Sequence, residues 1–270
     1  MTQENPDVRD LPEDDFRTHR AYLADHVFFI VPGGGASPTD PVEPRAWHHF
    51  MTLSTDVLLR TTDYQGSLVN DCINQSSLWT HASPLPDDSR YMFEPAMDAG
   101  DDFSAAPFIA AHGWYRQSTI LLRSALEVMT EGAAHAINLS EAEFDKWRAG
   151  ERDLNFKTSL SRLRRHGRST VFDYNDGVLG RLYRSLSDSA HSRPGRTNAD
   201  IWNSNGPVWV AHGFRDFWLN YCDTVAACYL LLKIGWPSLE LPEAAQPLFG
   251  SPSPSWGVEG SDVIATVFGQ

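Results

Sequence analysis

The sequence predicts an all-α protein, a multi-helix bundle with an additional helical and irregular region at its N-terminal side. Three observations predict it. Apolar residues recur three and four apart along several segments, and helix start and stop signals bracket those segments. The apolar–polar alternation of a half-buried strand is scarce. A hydrophobic content of 41% and 9 tryptophans supply the material for a core, and no internal repeat is visible.

Residues 1–14 are acidic and proline-bearing, which predicts a loose tail. Asp15 to Val31 reads as a first helix, with Val27–Val31 equally able to form a strand, and the run Pro32-Gly33-Gly34-Gly35-Ala36-Ser37-Pro38 ends it. That glycine run lacks the Lys-Ser/Thr ending of a phosphate-binding loop and reads as a linker. Pro44 suits the first turn of a helix with Trp47, Phe50, Met51, Val57 and Leu58 on its apolar side, and a further helix follows over Leu68, Val69, Cys72, Ile73 and Trp79. Ser83 to Ala105, rich in proline and aspartate, is expected to be an irregular connection closing the 15–105 region.

The bundle core is expected over 106–237. Ser118, Leu121, Leu122, Ala125, Met129 and Ala133 mark one face of a long helix, with Arg123 and Glu127 paired four apart on its side. Ser140-Glu141-Ala142-Glu143 has the form of a capping box, opening a helix past Phe144 and Trp147 to Gly150. A short basic helix is expected from Phe156 to Arg165, ending near Gly167. The next runs from Val171 to Ala190, stopped by Pro194 and Gly195. The last begins near Pro207 and carries Phe214, Phe217, Trp218, Tyr221, Val225, Cys228 and Leu232 to Gly235. A Pro/Ser/Gly-rich tail fills 238–270.

A net charge of −13 argues against nonspecific nucleic-acid binding by the whole molecule. The charge is unevenly spread, however. Lys146 to Arg196 hold 12 of the Lys/Arg and 5 of the Asp/Glu, a net of +7, against −20 for the remainder. A polyanion such as RNA is attracted to such a stretch, unless its arginines pair with the acidic remainder. Cys72, Cys222 and Cys228 show no CxxC spacing, and an odd count argues against a disulfide framework. With no segment resembling a signal peptide and no membrane-spanning apolar run, a cytoplasmic protein that makes no membrane contact is expected.

The most informative segment is Leu182-Tyr183-Arg184-Ser185-Leu186-Ser187-Asp188-Ser189-Ala190-His191. Seven residues are almost two helical turns, so Arg184 and His191 share a helix face, with Ser187 between them. On a wheel centred on Leu179, the residues Leu182, Tyr183, Leu186 and Ala190 fall within about 60° and Arg184 and His191 near roughly 120–140°, on the shoulder of the core face. A permanently charged guanidinium beside an imidazole is what metal-free phosphodiester cleavage needs.

Arg184-x6-His191 at the end of a bundle helix resembles the Rx4–6H motif of the HEPN helical domains, many of which are RNA-cleaving toxins or defence effectors. The similarity covers about Pro107 to Gly235, and the upstream Leu122-Arg123-Ser124-Ala125-Leu126-Glu127 is similar to helices of related bacterial bundles. One departure is Ser185, where the family usually has Asn, Asp or His after the arginine. The resemblance implies metal-independent endoribonuclease activity without a cofactor, in a toxin or phage-defence setting. Attack by the ribose 2′-hydroxyl on phosphorus would leave a 2′,3′-cyclic phosphate and a 5′-hydroxyl. His191 would move the proton, as acid more readily than as base because a helix C-terminus favours imidazolium. Arg184 would stabilise charge on the phosphoryl oxygens and Ser187 would orient either group. Arg162, Arg164, Arg165, Arg168, Arg193 and Arg196 would contact the RNA backbone. A homodimer with facing Arg/His pairs and an antitoxin partner complete that expectation.

The competing expectation is structural. Arg184 binds a carboxylate such as Glu127 or Asp188, His191 caps carbonyls at the helix end, and Arg162–Arg168 form a solvated face. The chain is then a catalytically inactive interaction or regulatory protein, or a nucleotide-binding sensor. Metal ligation is not expected. His48 and His49 are adjacent and point apart, while His19, His26, His112 and His135 fit no ligand spacing.

Overall fold

The computed structural model describes residues 44–84, 89–138, 140–151, 155–167, 170–190, 207, 209–210, 212–249 and 256, with side chains in the first helix from residue 53 onward. The expected tail 1–14, the helix over 15–31 and the glycine run lie outside the described residues, as does 257–270. The described residues form α-helices and two short 3-10 segments, with no strand among them, as the sequence predicts.

Helix α1 spans Pro44–Ala82 and is broken at Gln65, whose φ of −133° and ψ of 25° are not helical. The expected division into two helices survives as this kink. Gly66 follows the break, and upstream the Thr61 hydroxyl bonds back to the Val57 carbonyl at 2.9 Å, a pattern that bends helices.

Helix α2, Phe93–Ala111, occupies the stretch expected to be irregular and runs through the expected boundary at 105/106. Its prolines and aspartates mislead for a physical reason. Pro95 sits in the first turn, where a missing N–H costs nothing, and alanines line the buried face. The chain also tolerates Pro107 inside the helix.

Helix α3, Tyr115–Asn138, buries Ser118, Leu122, Ala125, Met129 and Ala133 as the periodicity predicts. It packs most extensively on α2 and on α7, Gly213–Gly235, whose residues 221–232 are all buried. A Cβ on Gly132 would stand 2.7 Å from Pro95 Cγ, so glycine sets how closely α2 approaches α3. Trp79 of α1 is wholly buried, donates to the Ala96 carbonyl at 2.9 Å and meets Phe103 and Tyr229 edge-on or tilted, tying α1, α2 and α7 together.

Helix α4, Glu141–Arg148, opens as the capping box predicts, with Ser140 Oγ accepting from the Glu143 N–H at 3.4 Å. Helix α5 spans Phe156–Gly167. Helix α6, Val178–Ala190, starts later than expected, because Thr170–Phe172 is a 3-10 turn and Asp173–Gly177 a loop. Asp173 stops the helix there by accepting the Asn175 and Asp176 N–H groups at 2.8 and 3.0 Å. Helix α7 also starts later than Pro207, because Trp209 and Val210 are buried outside the helix. Glu243–Phe249 is a 3-10 segment, and Leu248, Phe249 and Trp256 are buried in the core.

Candidate functional site

Helix α6 presents its apolar face, Leu179, Leu182 and Leu186, to the core, and Arg184 lies on its shoulder as the wheel predicts. The Arg184 guanidinium donates from Nη1 to the Tyr174 carbonyl and from Nη2 to the Asn175 carbonyl, the latter at 2.5 Å, and stands 5.8 Å from the Tyr174 ring centroid. Both carbonyls precede the first residue of the helix. The side chain therefore points toward the helix N-terminus, the direction in which helical Cβ atoms already lean.

One turn earlier stands Gly180. A Cβ there would be 2.1 Å from the Tyr174 carbonyl oxygen and 2.6 Å from that of Asp173. The missing side chain lets the 173–175 loop lie on the helix, and Arg184 then bonds the carbonyls brought there. Glycine and arginine act as one docking device.

The other expected site residues are dispersed. Ser187 Oγ is buried with no hydrogen-bond partner among the described residues. Arg162 pairs with Glu143 at 3.2 Å, Arg164 with Asp173, and Arg165 Nε donates to the Ser161 carbonyl at 3.2 Å. The Asp173 carboxyl is held below its ordinary range by the Asp176 and Asn175 N–H groups first and by Arg164 after them. His191, Arg168, Arg193 and Arg196 lie outside the described residues. Glu127, considered as an acceptor for Arg184, bonds Arg123 instead.

A cleft of about 400 Å³ lies where α3, α4, α5 and α6 meet. The carboxylates of Glu127 and Glu131 enter it from α3, and the rings of Trp147, Phe156 and Tyr183 enter from the other three helices. Ser124, Val128 and Asn155 complete the wall, and no lining residue among the described residues is cationic. The carboxylates are held in place. Glu127 Oε1 accepts from Arg123 Nη2 at 2.9 Å and from the Tyr183 hydroxyl at 2.8 Å, and Arg123 Nη2 also reaches the Tyr183 oxygen at 3.0 Å. Glu131 Oε2 accepts from Trp147 Nε1 at 2.5 Å. Phe156 and Tyr183 stack at 3.9 Å and 11°.

Electrostatics tighten this triad. Burial raises the Tyr183 phenol above its ordinary value, and the Glu127 carboxylate raises it further. Burial works against the Arg123 charge, but Glu127 more than offsets it. Sequence reasoning found the Arg123–Glu127 pair and placed Tyr183 on the core face. It missed the cleft. Ser124, Glu127 and Glu131 recur at i, i+3 and i+7 on one polar face of α3, which was the available signal, whereas Trp147 and Phe156 join it solely through tertiary packing.

Among the described residues no group of three or more His, Cys, Asp and Glu is placed to hold a metal ion. His135 is buried against Phe144 and Trp147, and His112 Nδ1 donates to the Phe108 carbonyl at 2.7 Å. Cys72, Cys222 and Cys228 are buried free thiols. No helix among the described residues is long and apolar enough to cross a membrane. No protein-family model matches the chain, and no curated protein or solved structure matches it.

Proposed function

We propose that this chain is a HEPN-like helical binding module of regulatory type, in which the Arg184 helix has a structural role. The observation that carries this reading is the direction of Arg184. Its guanidinium serves carbonyls at the N-terminal end of α6, whereas His191 follows the C-terminal end. Arg184 stands six residues, about 9 Å of helical rise, before Ala190, and its side chain leans further away. Phosphodiester cleavage needs the two groups on one phosphate. The carboxylate pairing of Arg162 and Arg164 favours the same reading, since neutralised arginines contribute little to counterion release from RNA.

Metal-independent endoribonuclease activity, with His191 moving the proton and Arg184 stabilising the phosphoryl charge, is the second reading. The observation favouring it is that Tyr174 and Asn175 offer Arg184 neutral carbonyls, which do not cancel its charge. In that reading a homodimer brings two Arg/His pairs together on RNA, in a toxin or defence setting with an antitoxin partner. Incubating purified protein with end-labelled RNA in chelator separates the two. The binding-module reading expects wild type and His191→Ala to leave the RNA equally intact. Cleavage by the wild type that His191→Ala abolishes would establish the nuclease instead.

A further inference from the structure

The outer side of the layer formed by α1, α2 and α3 carries a row of exposed apolar side chains beside a group of carboxylates. We propose that this face docks a basic amphipathic helix of a partner protein. The proposal deepens the binding-module reading and rests on it for the kind of ligand, although none of the residues involved belongs to α6.

The helix registers place the row. The Ser76 and Ser104 hydroxyls meet at 2.9 Å between α1 and α2, and Trp79 donates to the Ala96 carbonyl, so the two helices run antiparallel. Ile73 stands three residues before Ser76 and Phe108 four after Ser104, which puts both one turn along in the same direction. On the other flank of α2, Asp102 bonds Ser124 of α3 and Pro95 faces Gly132, again an antiparallel pairing. Ile120 precedes Ser124 by four residues and so lies near the level of Phe108. Ser104 and Asp102 differ by about 160° on the α2 wheel, so α1 and α3 stand on opposite flanks of α2, and α7 packs against all three. Ile73 is 58% exposed, Phe108 66% and Ile120 42%. Along α2 the row meets a second line, Met97, Asp101, Ser104 and Phe108, all exposed at i, i+4, i+7 and i+11. Large apolar side chains gathered in this way, not scattered singly, mark an interaction surface. The Phe108 and His112 rings lie 4.3 Å apart, so holding Phe108 in one rotamer costs little on binding.

Charge selects the occupant. Helix α2 contains Glu94, Asp98, Asp101 and Asp102 and no Lys or Arg. Burial first, then Asp101 and Glu94, raise the Asp98 carboxyl above its ordinary value. Like charges thus share the α2 face, with Arg148 paired to Glu94 at one end and Arg116 one turn before Ile120 at the other. A helix that buries apolar residues on the row and turns Lys or Arg toward Asp98 and Asp101 meets both features. A second copy of this chain would bring the same carboxylates. Its terminal stretches are acidic too, 1–43 holding nine Asp/Glu against three Lys/Arg and 257–270 two against none.

Fluorescence anisotropy with the full chain tests this. The probe is a labelled helical peptide with leucine on one face and lysine on the other, and its comparator carries glutamate in place of every lysine. The lysine peptide is expected to bind saturably and more weakly as salt rises, and the glutamate peptide not at all. Phe108→Gln and Ile73→Gln should each weaken binding at least about fivefold. Asp98→Asn combined with Asp101→Asn should weaken it and flatten its salt dependence. Leu59→Gln, exposed on α1 but about 21 Å of helix away from Ile73, should bind as wild type does. Circular dichroism confirms that each variant is folded. No saturable binding by wild type, equal binding of the two peptides, or undiminished affinity in folded Phe108→Gln and Ile73→Gln would each overturn the proposal. So would sedimentation showing a dimer of the chain alone that Phe108→Gln disperses. Cleavage in the RNA assay counts against the binding-module reading, whereas these titrations count against the docking face.

Discussion

Arg184 and Gly180 are best understood together. The carbonyls of Asp173 and Tyr174 press against α6 where Gly180 lacks a side chain, and the guanidinium one turn later bonds the Tyr174 and Asn175 oxygens. Gly180→Ala would gain helix propensity but force a methyl onto an oxygen 2.1 Å away, and backbone carbonyls do not yield as a flexible side chain would. The expected outcome is a loss of about 1–3 kcal/mol, read from the urea midpoint at unchanged m. The sequence made Arg184 legible as a shoulder residue through helical periodicity. It could not show where the side chain points, because the acceptors are main-chain atoms of a loop, and any residue type supplies a carbonyl. Ser187 illustrates the same limit: its place between Arg184 and His191 on the wheel was readable, but its burial depends on neighbours that a wheel omits.

At the scale of helices, patterned segments were readable and composition was not. The faces of α3 and α6, the capping box of α4 and the ends of α5 follow from local spacing and capping chemistry that tertiary structure did not override. Helix α2 was hidden because Pro95 and its aspartates look like loop chemistry when position within the helix is ignored. One of those aspartates makes a measurable consequence. Burial raises the Asp102 carboxyl to about 6 from 3.8, partly opposed by its hydrogen bond with Ser124 and reinforced by Asp98 and Asp101. An acid whose folded value is raised holds its proton more tightly when folded. Its contribution is therefore most favourable below pH 3.8 and is lost as pH rises from there through about 6. Asp102→Asn should stabilise the protein above pH 7 by about 1 kcal/mol, a figure trimmed for solvent screening of a half-exposed group, and give no gain near pH 3.5. Urea midpoints at the two pH values check the sign, and an equal effect at both would contradict it.

For the whole molecule, the all-α class followed from periodicity and from the scarcity of alternation. The uneven charge was equally visible in the sequence, but its meaning was not. Glu143 from α4 and Asp173 from the loop before α6 meet Arg162 and Arg164, so part of the basic stretch is neutralised within and beside itself. The cleft stands at the other extreme of legibility, because four helices each contribute part of its wall and no contiguous motif encodes it. A bundle that tethers its most motif-like arginine to a loop suits the binding role proposed for it. The most direct test of that account is the urea unfolding of Arg184→Ala beside wild type. Two hydrogen bonds from a charged, partly exposed donor predict a loss of about 1–2 kcal/mol. A variant as stable as wild type would show that the guanidinium does not hold the loop, and would contradict the structural role given to Arg184.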